Sequence, residues 1–138
     1  MNIDSIKNGI VIDHIPAGSG MMLYDLLGLA DEDCSIAIIK NVGSRKTGKK
    51  DIIKIDADIE LNFDIVGYVA PEVTVNIIKG GEIVDKKTIG LPARLRNVIK
   101  CKNPRCITST EQELDHIFKL TDEATRTYRC LYCETKAK

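Results

Sequence analysis

What most restricts the fold of this chain is a set of four cysteines in two close pairs. Cys101 and Cys106 have four residues between them, Cys130 and Cys133 have two, and twenty-three residues part the pairs. A tight turn at each pair aims two sulfurs at one point, and two such turns complete a tetrahedron around a single zinc ion. Lys100, Lys102, Arg105 and Arg129 stand beside the pairs, where they offset the negative charge of four thiolates. A unit of about 40 residues rarely buries enough apolar surface to fold unaided. The stretch from about residue 95 to 138 is near that size, with Leu114, Ile117, Phe118, Leu120, Tyr128, Leu131 and Tyr132 as its apolar stock. Metal binding then supplies much of the folding free energy. A catalytic zinc keeps one position open for water or substrate, whereas four cysteines close the shell. The expectation is one structural Zn2+ per chain on Cys101, Cys106, Cys130 and Cys133. Cys34 has no partner at ligand spacing and is expected to pack as a small apolar residue.

The N-terminal MNIDSIKNG lacks the charged-then-apolar pattern of a secretory signal, and no apolar run reaches the ~18 residues that span a bilayer. A cytoplasmic protein is expected, with no membrane partner. In that reducing compartment cysteines serve metals more often than disulfides. Net charge is zero but unevenly placed: residues 1–85 carry 8 basic against 14 acidic side chains, residues 86–138 carry 12 against 6. Such a reversal predicts two units with different partners, here 1–92 and 93–138.

Six aromatics and no Trp leave Ile, Val and Leu to build the first core. GIVIDHI (9–15) reads as a strand halted by Pro16; Met22, Leu23, Leu26 and Leu27 recur at helical spacing after Ser19, which stands at the helix-capping position. SIAIIKNV (35–42) and KDIIKID (50–56) read as a hairpin, LNFDIVGYV (61–69) as a helix ended by Pro71, and EVTVNII (72–78) with EIVDKKTI (82–89) as a second hairpin around Gly80-Gly81. The order β-α-β-β-α-β-β predicts an α+β, ferredoxin-like antiparallel sheet with two helices on one face and one added strand. A small all-β, zinc-ribbon-like domain follows.

Gly43 to Lys50 nearly spells a phosphate-binding loop, but Lys50 occupies the hydroxyl position and a strand, not a helix, follows. Polar residues inside the strands deserve more weight. Asp13 and His14 interrupt an apolar strand, and strand alternation allows at most one of them on the helix-covered side. Lys50 and Lys54 share a strand face, Asn76 interrupts EVTVNII, and Lys86 lies on the next strand. These groups suit a triphosphate and a ribose or base, or else a solvated face with Lys–Asp pairs.

GIVIDHIPA (9–17), KKDIIKID (49–56), APEVTVNII (70–78), LPARLRNV (91–98), NVIKCKNPRC (97–106) and CLYC (130–133) together resemble the regulatory chain of aspartate carbamoyltransferase. The resemblance implies an N-terminal allosteric domain for ATP and CTP and a zinc domain that docks on the catalytic chain. It also implies pairing of two regulatory chains, and a dodecamer of six catalytic and six regulatory chains acting in pyrimidine biosynthesis. It implies nucleotide contacts at Ser5, Ile6, Val11, Asp13, His14, Lys54, Asn76, Ile78, Gly81, Ile83 and Lys86, with Lys50 near the phosphates. Gly81 and Arg105 depart from the aromatic and the Asn that the resemblance leads one to expect, and five residues follow Cys133 where a longer tail is expected. Catalysis resides in the other chain, and no catalytic residue is assigned here. A nucleic-acid-binding zinc ribbon is disfavoured by the zero net charge and by the absence of stacking aromatics in the basic stretch 86–106.

Overall fold

In the computed structural model, which describes residues 6–44 and 48–137, strand alternation sorts the first unit into a covered face and an open one. Its strands are β1 (Gly9–Pro16), β2 (Ser35–Ser44), β3 (Gly48–Asp56), β4 (Thr74–Lys79) and β5 (Glu82–Thr88), with helices α1 (Gly20–Leu26) and α2 (Phe63–Val69). They form one sheet in the order β2-β3-β1-β4-β5, every neighbouring pair antiparallel. This is the ferredoxin-like arrangement expected from the periodicities, with β5 added at one edge. Ile10, Ile12, Ile53, Ile55 and Val75 are buried on the covered side with Leu23 of α1, Val66 of α2 and Leu29 of a short 3-10 turn. Each such side chain contributes about 1.5–3 kcal/mol by leaving water. Cys34 is half-buried against this core, as an apolar filler would be. The run from Gly43 to Lys50 leads into β3 rather than a helix, and residues 45–47 lie outside the described ones.

Two bulges flank β3. On β1, Ile12 pairs with Ile53 but Ile15 pairs with Asp51, so Asp13 and His14 together oppose one residue. Regular alternation would send Ile12 and Ile15 to opposite faces; the extra residue returns both to the core, fully buried. His14 takes the left-handed conformation, φ 62°, that this requires. On β2, Ile39 pairs with Ile52 and Val42 with Lys50, and Asn41 takes φ 59°.

Asp51 joins these irregularities from beneath. Its fully buried carboxylate accepts N–H groups of Gly18, Gly20 and Asn41, each at 3.0 Å. Ser19 occupies the N-cap of α1 as expected, yet its side chain makes no capping bond. An ionised carboxylate is the stronger acceptor, and it takes that role from the opposite strand. A Cβ at position 20 would come within 2.9 Å of Asp51 Oδ2, so Gly20 lets the helix start approach this closely. Burial alone would raise the Asp51 pKa, but the N–H groups of Asn41, Gly20 and Gly18, with the charge of Lys40, outweigh it and hold the carboxyl below its ordinary 3.8.

The second unit, Leu91–Lys138, is a three-stranded antiparallel sheet, β6 (Arg94–Arg96), β7 (Ile117–Asp122) and β8 (Thr127–Cys130), in that order, with one helical turn α3 (Ile107–Thr110). Its fully buried apolar side chains are Leu95, Phe118 and Tyr128, whose hydroxyl donates to the Pro92 carbonyl at 2.6 Å. Of the expected apolar stock, Leu131 and Tyr132 are instead exposed. The core is thus smaller than composition suggested.

Asp51→Ala removes the acceptor of three N–H groups, the buried Gly20 amide among them, and should destabilise the first unit by about 3 kcal/mol in denaturant titration. Because the folded pKa is depressed, the carboxylate's contribution is present above the unfolded value near 3.8 and is lost as the pH falls through the folded one. Asp51→Asn should therefore flatten the acid limb of the stability profile.

Candidate metal centre and ligand face

In the second unit the chain brings all four predicted cysteine sulfurs within 4.8 Å of one another. Cys101 and Cys133 Sγ are 3.6 Å apart, Cys106 and Cys130 Sγ 3.7 Å. A tetrahedron with metal–sulfur bonds of ~2.3 Å has edges of about 3.8 Å, so the donor set fits one metal ion. The turn at the first pair is closed by the Cys106 N–H on the Asn103 carbonyl, that at the second by the Glu134 N–H on the Cys130 carbonyl. Cys101, Cys106 and Cys130 are buried. Burial chiefly pushes the Cys101 thiol up to about 12, with the other sulfurs adding to it against the Asn103 N–H. The Thr135 hydroxyl, at 3.2 Å, chiefly pulls Cys133 down to about 6. A cation removes this conflict by stabilising all four as thiolates.

Cysteine spacing did not reveal the outer contacts. Thr108 lies 3.0 Å from Cys106 Sγ, and Thr135 is its counterpart at Cys133. In both turns a Thr follows a cysteine by two positions, a pattern legible in retrospect. His116 Nδ1 accepts the Cys101 N–H at 3.2 Å. Asn97, at φ 57°, holds His116 through its N–H and its side-chain oxygen, and Asp115 bridges Asn97 to Arg96.

In the first unit, register aligns several predicted contacts in one row. Lys54 pairs with Val11, Val11 with Asn76, and Asn76 with Lys86, so all four share the face opposite the core. Ile78 pairs with Ile83 in the next row, toward the turn where the Gly81 N–H meets the Lys7 carbonyl. Ile6 lies beside Gly9 at that end. Ser5 lies outside the described residues.

Asp13, His14 and Lys50 gather at the other end. Lys50 Nζ is 2.9 Å from Asp13 Oδ1, and the His14 N–H donates to the same carboxylate at 2.6 Å. Burial would raise the Asp13 pKa, but Lys50 and the His14 N–H lower it further, leaving the carboxyl below its ordinary value. The bulge explains why neither Asp13 nor His14 occupies the helix side. Among the described residues, two buried side-chain atoms have no hydrogen-bond partner, His14 Nδ1 and Asn76 Oδ1, and both belong to this set.

Residues 1–90 match the family model described as the allosteric domain of the aspartate carbamoyltransferase regulatory chain, and residues 93–138 match that of its metal-binding domain. Curated relatives bearing that name are 48% identical in Clostridium botulinum (97% of this chain, 92% of the relative). In Clostridium tetani the identity is 46% (97% and 94%), and in Bifidobacterium longum it is 41% (100% and 99%). With both family models matched in order and together covering nearly every residue, the chain belongs to the aspartate carbamoyltransferase regulatory chain family, the non-catalytic subunit of that enzyme.

Proposed function

We propose that the open face of the first unit binds nucleoside triphosphates, ATP and CTP among them, and that the second unit, organised by one structural Zn2+, docks on the catalytic chain. The observation that carries the nucleotide reading is the pair of unpartnered buried atoms, His14 Nδ1 and Asn76 Oδ1, on a face that also holds Lys50, Lys54 and Lys86. Buried polar atoms without partners are costly, and a bound ligand is one way to satisfy them. Lys54 and Lys86 suit phosphate, Lys50 joins them when released from Asp13, and Asp13 suits a ribose hydroxyl. Backbone groups near Ile6 and Ile78 suit a base edge, and an edge read by backbone tolerates purine and pyrimidine alike. Opposite effectors then differ in how each biases two quaternary states.

A tetrahedral set of four thiolates suits zinc, and a closed shell leaves the ion a purely structural task. One further feature supports assembly. The ten-residue strand β2 ends the sheet, so its outer backbone groups are available to pair with a second regulatory chain. Such pairs bridging catalytic trimers make a dodecamer of six and six. No described helix is long and apolar enough to cross a membrane, and we place the complex in the cytoplasm, controlling the carbamoylation of aspartate in pyrimidine biosynthesis.

Metal analysis of the purified chain should return about one zinc per chain. Cys106→Ser should abolish both metal retention and docking on the catalytic trimer while the first unit stays folded; a variant that keeps its metal and assembles normally refutes the structural role. Lys54→Ala should weaken triphosphate binding by about 1–3 kcal/mol in calorimetric titration, the scale of a charge-assisted hydrogen bond. If neither ATP nor CTP produces heat or a shift in Tm with the wild-type chain, the nucleotide reading fails.

A further inference from the structure

The exposed side of the second sheet carries cations in direct opposition. Arg94 pairs with Lys119, Lys119 with Arg129, and Arg129 with Lys136 through an isolated bridge. Paired residues share a face, so four positive side chains stand abreast across β6, β7, β8 and the returning chain. With strands ~4.8 Å apart, the row spans about 14 Å. All four are exposed, while their neighbours Leu95, Phe118, Tyr128 and Cys130 fill the other face. None forms an ion pair with a carboxylate among the described residues. The Arg129 guanidinium donates instead to the Glu134 backbone carbonyl, at 3.1 Å. Like charges placed directly across a sheet destabilise it.

The row is also tied to the metal centre. Arg129 immediately precedes the cysteine ligand Cys130. The return that carries Lys136 is held by the Cys130 N–H on the Thr135 carbonyl, at 2.9 Å, and by the Ala137 N–H on the Tyr128 carbonyl, at 2.7 Å. A hollow of about 190 Å³ opens on this face, lined by Lys119, Thr121, Arg129, Leu131 and Glu134 among others.

We infer that this row is a docking surface for a strip of Asp and Glu carboxylates on the catalytic chain. The inference rests on the proposed docking and adds the face and the chemistry of the contact. Complementary charge explains why a self-repelling row is kept on a unit with so small a core: the repulsion is relieved in the complex. The row's own face offers Ile117 and Thr121 rather than a platform of stacking aromatics, which favours protein over single-stranded nucleic acid as the occupant.

The test uses the full-length, metal-loaded chain and the catalytic trimer of the same organism. Two double variants are compared with wild type, Lys119→Glu with Arg129→Glu, and Lys119→Gln with Arg129→Gln. Both should retain one metal per chain. The Glu pair should raise the Kd for the trimer at least about tenfold at ~0.15 M salt, and the gap should narrow at about 0.5 M as screening removes the attraction. The Gln pair should weaken docking while its isolated chain melts at the same or a higher temperature, a combination that simple loss of fold does not produce. Should the Glu pair fail to fold, the Gln pair decides. Unchanged Kd and salt slope in the Gln pair, with wild type binding well, overturn the cation row and leave the docking reading intact. Failure of wild type itself to bind the trimer overturns both. Loss of affinity for a labelled DNA duplex, with trimer binding unaffected, assigns the row to nucleic acid and likewise overturns it.

Discussion

Four sulfurs held within 4.8 Å of one another cannot all ionise without a cation between them, and the second unit depends on that constraint. Among the described residues its fully buried apolar side chains, the cysteines aside, are only Leu95, Phe118 and Tyr128, too few to offset the chain entropy of nearly fifty residues. The thiolate cluster ties α3 and the segment before it to the end of β8. Thr108, Thr135 and His116 then satisfy the sulfurs and the Cys101 amide around it. The Arg96–Asp115–Asn97 network extends the same order outward. Removing the ion turns a scaffold into a cluster of competing thiols.

The first unit solves a different problem. A sheet with helices on one side leaves the other free, and here the free side collects Lys50, Lys54, Asn76 and Lys86. The bulge at Asp13–His14 serves both faces at once. It returns Ile15 to the core and, in the same step, lets Asp13 meet Lys50 on the open face. Asp51 ties this arrangement together, because one carboxylate binds the start of α1 and the second bulge while its neighbour Lys50 pairs with Asp13. Core packing and the open face are thus coupled through adjacent residues of β3.

Much of this was legible without coordinates. Period-two alternation in GIVIDHI and KDIIKID and helical spacing in 22–27 specify the element order, because each pattern can bury only one face. The cysteine spacings specify a four-sulfur cluster, because a short turn can aim two sulfurs at one ion. Ser19 stands at the N-cap, but its side chain makes no capping bond. Local sequence names a side chain at the right position, but the carboxylate that takes the amide protons comes from a residue more than thirty positions away. The bulges were hidden for a related reason, since an extra residue in a strand shows only against its partner.

The amino-acid order by itself therefore determined the element types, the antiparallel α+β class and the identity of the four sulfur donors. These follow from short-range periodicity and spacing. Only the tertiary structure decided that Lys54, Val11, Asn76 and Lys86 stand in one row, that His14 Nδ1 and Asn76 Oδ1 are left without partners, and that Arg94, Lys119, Arg129 and Lys136 lie abreast. Each of these is a property of strand register. Register arises from long-range pairing, and a shift by one residue would send every one of those side chains to the opposite face.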